Sequence, residues 1–366
     1  MKVICDRGTL VEALGLVGSV AVQRTPKPVL SCVKVAAGPD GLTLTATDLE
    51  ASLTLNALRV EVEQPGEALV PADKFASIVR ESIDPTVTLS TDGEVVHITG
   101  QDSKYKIYSQ AVADFPAVPA FDEDPHFEIV AGDLHRLVAM TIFATARENS
   151  RYAINGVLVE REGKKLSVVA TDGHRLALAK GTAQTASDES QSAIIPTKAL
   201  QLLLRLFDDA EQVVKVRLAG NRVLFSTDHA TLTSSLVEGN FPPYRDVIPK
   251  DGDRKATLST DILISAVRRA ALLTNEESKG VRMAFSPDGL TLSSRAPEMG
   301  EAEINAELAG YDGEAIEIGF NPAYILDALK VMDDKQVQMD FKAPNKPGVL
   351  RTGPDFLYVI MPVNLQ

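Results

Sequence analysis

Apolar and polar residues alternate along this chain at two periods, and the same succession returns three times. Strand-like alternation at Gly41-Leu42-Thr43-Leu44-Thr45 recurs at Lys165-Leu166-Ser167-Val168-Val169 and Gly289-Leu290-Thr291-Leu292-Ser293, with Leu42, Leu166 and Leu290 separated by 124 residues in each step. A second set, residues 69–75, 194–200 and 319–325, reads as a strand end running into a helix. Pro71 and Pro196 sit near the helix start, where a missing N–H costs nothing, and Asn321 offers a capping side chain in the third copy. Apolar residues in these helices coincide at a period of 125: Phe75, Leu200 and Ile325, then Ile78, Leu203 and Ala328, then Val79, Leu204 and Leu329. That 0, 3, 4 spacing predicts one buried helical face.

Each repeat also opens with an amphipathic helix, at residues 10–17, 134–140 and 262–269, for which Thr9, Asp133 and Asp261 are the capping candidates. Phe115-Pro116 and Phe241-Pro242 close the first two repeats, and Tyr358-Val359-Ile360-Met361-Pro362 closes the third. Residues 118–128 and 248–256, rich in Pro, Asp and Gly, read as linkers. The pattern predicts an α+β protein of three repeated domains, 1–120, 129–248 and 257–366, each with two helices packed on antiparallel sheets.

Composition is compatible with folded domains: 45% hydrophobic and 24% charged residues, with mean hydropathy +0.01. The 366 residues divide into three units of ordinary domain size. Charges in the first seven residues and the lack of a long apolar run argue against a secretory signal or a membrane span, so a cytoplasmic protein is expected. Cys5 and Cys32, each among apolar neighbours, read as core sulfurs. A net charge of −13 argues against a nucleic-acid partner unless the charges are segregated in space.

Catalytic signatures are missing from the sequence: no Gly-rich phosphate loop, G-x-S-x-G elbow or H-E-x-x-H pair occurs, and His97, His126, His135, His174 and His229 are scattered. No metal or cofactor is expected. One segment, Ala170-Thr171-Asp172-Gly173-His174-Arg175-Leu176, invites a hydrolase reading in which a carboxylate orients His174 as general base. The reading preferred makes Asp172-Gly173 a type I′ hairpin turn with His174 and Arg175 on the emerging strand.

Directly after the buried helical stripe come Arg80, Arg205 and Lys330, one basic residue at the same position of each repeat. A solvated helix face explains any one of them, and a repetitive scaffold that never meets DNA is the reading they oppose. With 5% aromatic residues and no Trp, nucleic-acid binding here would be electrostatic and indifferent to sequence. Near the end of repeat one, Ser103-Lys104-Tyr105-Lys106-Ile107-Tyr108 alternates Lys with apolar residues, while repeat three carries the acidic Glu298-Met299-Gly300-Glu301-Ala302-Glu303-Ile304. Opposite charges on two edge strands favour a head-to-tail contact between copies; the alternative is two charged edges that resist aggregation.

The threefold repeat, Glu148-Asn149-Ser150-Arg151-Tyr152-Ala153-Ile154-Asn155-Gly156, the Asp172 segment through Ala177, Asn240-Phe241-Pro242-Pro243-Tyr244-Arg245 and Tyr358-Val359-Ile360-Met361-Pro362-Val363 together resemble the bacterial DNA polymerase III beta subunits, the sliding clamps. The resemblance covers the whole chain in order. It implies the DNA clamp fold, a head-to-tail homodimeric ring with helices lining the hole, and a processivity factor without catalysis. Duplex DNA would thread the hole, with Arg24, Arg151, Tyr152 and Lys198 joining Arg80, Arg205 and Lys330 as contacts. Leu272 and Leu273 would anchor the dimer against Tyr105 and Ile107, beside Lys104, Lys106, Glu298, Glu301 and Glu303. The replicative polymerase, clamp loader, other polymerases and repair proteins would dock short linear motifs in a pocket. Its implied lining is Ile154, Thr171, Gly173, His174, Arg175, Leu176, Pro242, Val247, Asn321, Tyr324, Ile360, Met361, Pro362 and Val363. Asp246 and the terminal Asn364-Leu365-Gln366 depart from the family pattern at the pocket rim.

Overall fold

A computed structural model describes residues 1–146, 153–187, 189–207, 209–274, 280–297 and 299–364. Six α-helices are present among them: α1 (Arg7–Val17), α2 (Ala72–Glu81), α3 (Ala131–Ala139), α4 (Thr197–Leu204), α5 (Thr260–Ala270) and α6 (Pro322–Leu329). Every strand pairing is antiparallel. The strands at Leu42, Leu166 and Leu290 form as the alternation requires, with all three leucines buried. Among the second-helix residues, Phe75, Leu200 and Ile325 are fully buried, whereas Ile78 and Leu204 are half-buried at the helix margin.

The opening helices start earlier than the capping candidates suggest. Asp6 caps α1 by accepting the Thr9 N–H at 2.8 Å, and Ser259 occupies the cap position of α5. Thr9, Asp133 and Asp261 therefore lie in the first turns, where the two carboxylates oppose the positive end of the helix dipole. Asn321 caps α6 as expected, accepting the Ala323 N–H at 3.0 Å. The linkers are shorter than the sequence reading, since strands Phe127–Val130 and Arg254–Ser259 take their ends.

Chain contacts divide the protein into two compact units, 1–132 with 183–187 and 198–236, and 133–182 with 188–197 and 237–366. In the first unit a five-stranded sheet runs in the order Val60–Gln64, Lys2–Asp6, Thr86–Asp92, Val95–Thr99, Lys104–Tyr108. Its nine-stranded sheet has a seam where Ala51–Leu58 pairs with Ala230–Ser235, setting Leu53 opposite Leu232. The second unit repeats the plan. A four-stranded sheet runs Gly300–Ala306, Gly289–Ala296, Val281–Ser286, Ile316–Phe320, and a nine-stranded sheet has its seam between Arg175–Thr182 and Phe356–Ile360. Continuous sheet hydrogen bonds thus weld parts of the middle repeat to each neighbour, which is why compactness alone halves that repeat. Helix α1 packs on α2 in the first unit and α5 on α6 in the second, burying Leu10, Ala13, Leu14 and Val17 in one pair and Leu263, Ala266, Val267 and Ala270 in the other.

Both cysteines are buried and free. Burial pushes the Cys5 thiol up to about 12, with the neighbouring Asp6 charge acting in the same direction.

Candidate functional site

Three of the predicted cationic contacts converge in the first unit. Arg24, on the loop after α1, and Arg80, in the last turn of α2, line one concavity of about 570 Å³ together with Gly15, Gly18, Ser19, Gln23 and Ser77. Arg205, just past α4, donates to the Gly15 carbonyl at 3.4 Å and so reaches the margin of the same concavity. All three guanidinium groups belong to exposed residues. Arg7, which sequence reasoning passed over, donates to the Arg80 carbonyl at 3.4 Å, and only its position at a helix start, far from the repeated stripe, kept it from notice. Arg80, Arg205 and Lys330 each mark a helix C-terminus, where a cation also complements the dipole.

Lys198 is exposed, but its ammonium is held by Asp48. Asp48 in turn accepts the N–H groups of Glu50 and Ala51 at 3.0 and 2.7 Å, bracing a turn in which Leu49 adopts φ 79°. Lys330, in the second unit, lies 3.4 Å from Asp327. Arg151 and Tyr152 lie outside the described residues.

In the second unit the Asp172 segment is a four-residue connection, with Thr171 and Leu176 as the last facing pair of the hairpin. Gly173 alone takes positive φ, at 88°, so the turn is not type I′, which needs both central residues there. Asp172 closes it instead: one oxygen accepts the backbone N–H groups of His174 (2.9 Å) and Arg175 (3.0 Å), the other accepts Arg175 Nε at 3.0 Å. His174 therefore belongs to the turn, and its ring stacks on Tyr324 with centroids 6.4 Å apart. The Asp172 oxygens are engaged by main chain and guanidinium, so this carboxylate does not orient the imidazole as a hydrolase would need.

Arg175 is an anchor under the surface. Its side chain is only 10% exposed; Nη1 donates to Asp327 at 2.8 Å, Nη2 to the Phe143 carbonyl at 2.8 Å, and the guanidinium lies 4.4 Å from the Tyr324 ring centroid. Burial works against its charge, but the Asp327 hydrogen bond and the nearby Tyr358 and Asp172 outweigh it and drive its pKa upward. Burial likewise raises the Tyr358 hydroxyl, which donates to the Tyr324 carbonyl at 2.9 Å. Asp327, Phe143 and Tyr358 fix this arrangement and were missed as site residues; Asp327, three residues before Lys330 on a helix already singled out, was the detectable one.

Around this anchor the chain assembles most of the predicted docking residues. Thr171 accepts the Gly173 N–H and donates to the Arg175 carbonyl; Met361 N–H donates to the His174 carbonyl at 2.9 Å; Val363 N–H reaches the Gly319 carbonyl at 2.8 Å. Asn321 and Tyr324 stand together at the start of α6. Ile360 is fully buried, on the opposite strand face from Val359. Val359 joins Leu176, Leu178, Tyr244 and Ala153 in one apolar cluster, with Phe241 and Ile248 packed against it. Pro242 and Val247 flank Tyr244 in its short turn, and Ile154 is buried beside Ala153. Pro362 is half-buried. Exposed Met361 and Val247 give the surface adaptable apolar contact area.

Both strands predicted for a contact between copies are sheet edges. Lys104–Tyr108 ends the five-stranded sheet, with Lys104 and Lys106 exposed, Tyr105 40% exposed and Ile107 half-buried. Gly300–Ala306 ends the four-stranded sheet, with Glu301 and Glu303 exposed and Ile304 buried. Glu301 already has a partner, Arg295, at 3.2 Å, which weakens the simple charge-matching argument at that position. Leu272, past the end of α5, is 76% exposed, and Leu273 is half-buried near Gly300. Glu298 lies outside the described residues.

Comparisons with known proteins cover the whole chain. Models of the DNA polymerase III beta subunit match in succession: the N-terminal domain over residues 1–119, the central domain over 128–243 and the C-terminal domain over 245–364. Similar curated proteins include a beta sliding clamp of Pseudomonas putida, 34% identical over 368 residues covering all of both chains, and that of Escherichia coli, 33% identical over 340 residues, 93% of this chain and 92% of the relative. Among solved structures, a Pseudomonas aeruginosa sliding clamp bound to griselimycin superposes with TM-score 0.93 at 33% identity, and a Bacillus subtilis DNA polymerase sliding clamp with TM-score 0.95 at 28% identity, each covering all of both chains.

Proposed function

The chain belongs to the bacterial DNA polymerase III beta subunit family, the DNA sliding clamps, and from that premise we propose that two copies close head to tail around duplex DNA. As a clamp of this family it is a processivity factor in DNA replication rather than a catalyst. In the proposed ring the Lys104–Tyr108 edge of one copy adds to the Gly300–Ala306 edge of the other, with Leu272 and Leu273 seated against Tyr105 and Ile107. Retention then comes from topology, so the contacts to DNA can be few and sequence-blind, as sliding requires.

The observation that carries this reading is the gathering of Arg24, Arg80 and Arg205 around one concavity on a chain of net charge −13. Two of these groups sit at equivalent helix ends, and against the one carboxylate that lines the concavity, Asp73, the three guanidinium groups leave a local excess of positive charge on an acidic protein, as a phosphate-facing surface needs. Lys198, Lys330, Arg151 and Tyr152 are the further DNA contacts of the proposal. Partners dock short linear motifs on the surface around Leu176, His174, Tyr324 and Met361: the replicative polymerase, the clamp loader, other polymerases and repair proteins. Two such surfaces per ring, on a ring that also holds DNA, raise effective concentration enough for weak individual contacts to suffice. The working place of such a ring is the cytoplasm, on the nucleoid; no helix among the described residues is long and apolar enough to cross a membrane.

The test is primer extension on a long single-primed template, with a cognate polymerase and loader. Product length should rise with wild-type protein and fall back to the polymerase-alone value when Met361 to Gln366 are deleted. Equal product lengths with and without the wild-type protein would refute the proposal.

A further inference from the structure

The nine-stranded sheets of the two units contain the same cross-strand rung with opposite chemistry. In the second unit the rung runs Leu158, Val169, Leu178, Leu357, Arg351, each residue directly opposite the next. In the first unit the equivalent rung is Lys34, Thr45, Thr54, Thr231, Ser226, again in direct register on adjacent strands. Leu158, Val169 and Leu178 stand 124 residues after Lys34, Thr45 and Thr54, so this is one structural position occupied twice.

What lies over the rung also differs. In the second unit Phe241, Tyr244 and Ile248 pack down onto it, and buried Tyr244 donates its hydroxyl to Glu160 at 2.7 Å. The matching segment of the first unit, residues 115–121, begins with Phe115-Pro116, which aligns with Phe241-Pro242. Val118 then stands where Tyr244 does, and Ala36 where Glu160 does. Val118 borders an open groove of about 510 Å³, lined also by Lys34, Thr45, Thr54, Thr231 and Ser226 of the rung and by Phe115, Pro116 and Phe121, with Ala36 two residues along the strand from Lys34.

We propose that this groove is a binding site for an extended acidic peptide segment that presents an aromatic side chain beside a carboxylate. The second unit supplies the precedent: there a tyrosine ring packs over the corresponding rung and its hydroxyl meets a carboxylate two residues along the strand from Leu158, at the position that Ala36 holds beside the groove. Charge agrees: the lining includes Lys34 and no carboxylate, and Glu67, which holds Lys34 at 2.9 Å, stands at the half-exposed rim where an incoming carboxylate can share the ammonium. Hydroxyl groups spaced by the strand separation, about 4.8 Å, supply donors and acceptors for the peptide main chain. Thr45 with Thr54 (3.3 Å) and Ser226 with Thr231 (3.5 Å) are close enough to orient one another. The site is separate from the surface around Leu176 and does not depend on the clamp reading.

The probe is an acetylated, amidated Asp-Tyr-Asp-Leu tetrapeptide, titrated into full-length protein and followed by methyl NMR of Thr and Val, with Asn-Ala-Asn-Leu as control. Saturable shifts at Thr45, Thr54 and Thr231 are expected, with a dissociation constant on the order of 1 mM, and no response to the control. Val118→Tyr combined with Ala36→Glu should abolish them by filling the groove, and Thr54→Val with Thr231→Val should weaken binding about tenfold should the filled variant fail to fold. His174→Ala should leave the response unchanged. No saturable shift by about 5 mM, an equal response to the control, a response that survives the filled groove, an affinity unchanged by both valines, or a response that disappears in His174→Ala would each overturn the proposal.

Discussion

Replacing Arg175 by Met keeps an apolar stem against Tyr324 and Phe143 while removing the guanidinium that ties three chain segments together. Three polar interactions go: Asp172 at 3.0 Å, Asp327 at 2.8 Å and the Phe143 carbonyl at 2.8 Å. Hydrogen bonds to charged groups contribute about 1.5–3 kcal/mol each, with the larger cost where a buried partner is stranded. Asp172 is such a partner, at 14% exposure; Asp327, at 33%, recovers part of its loss from water. Taking the low end for Asp172, whose other oxygen keeps two main-chain N–H groups, and for the Phe143 carbonyl, with about 0.5 kcal/mol each for the partly solvated Asp327 and the cation–π interaction on Tyr324, the expected destabilisation is about 4 kcal/mol. For a unit of this size that corresponds to roughly 10 °C in its melting transition. Because two compact units need not melt together, hydrogen exchange is the better assay. The amides of Met361 and Arg175, which report the seam and the turn, should exchange faster, and Arg175→Lys, a point charge that satisfies only part of this set, should lose about half as much. A shift under about 2 °C, or unchanged exchange at both amides, would refute the assignment of Arg175 as the anchor.

Other consequences follow from the same geometry. Arg24→Ala with Arg80→Ala should weaken DNA association and reduce its salt slope by about 0.9 for each phosphate no longer neutralised, read by anisotropy titrations at several ionic strengths; an unchanged slope would exclude that concavity. Leu272→Ala with Leu273→Ala should give monomers in sedimentation velocity, and persistent dimers would remove these residues from the interface. Cys5, with its thiol raised from an ordinary value of 9.0 to about 12, should resist thiol reagents at pH 8 until the protein unfolds. A raised folded-state pKa leaves stability intact below about pH 9 and drains it as pH climbs toward about 12, which denaturant melts across that window would register; rapid native labelling would contradict the burial.

Much of this architecture is readable from apolar spacing because it is local. Helices α2, α4 and α6 each bury a stripe that the 125-residue period identifies, and the charged alternation at Lys104–Tyr108 does mark a sheet edge. The proposed docking surface is legible only in part, for a physical reason. Phe356–Ile360 is apolar at every position, so period-two alternation cannot assign its faces, and nothing in the pattern separates Ile360 from Val359, the residue that packs with Leu176. The turn at Asp172 reads as a two-residue one because Asp-Gly is a strong local signal, whereas the decisive contact, Asp172 to Arg175, is a side-chain one. The anchoring by Asp327 and Phe143 joins residues far apart in sequence and carries no periodic signature.

Loading onto a circle tests the central claim most directly. The protein is assembled on nicked circular DNA with a loader, isolated by gel filtration at moderate salt, and the circle is then linearised by a restriction enzyme. Topological retention predicts that the protein stays with the circle and leaves once free ends exist, with little effect of salt on the circular complex. Equal retention on circular and linear DNA, lost in parallel as salt rises, would mean ordinary electrostatic binding and would contradict the account.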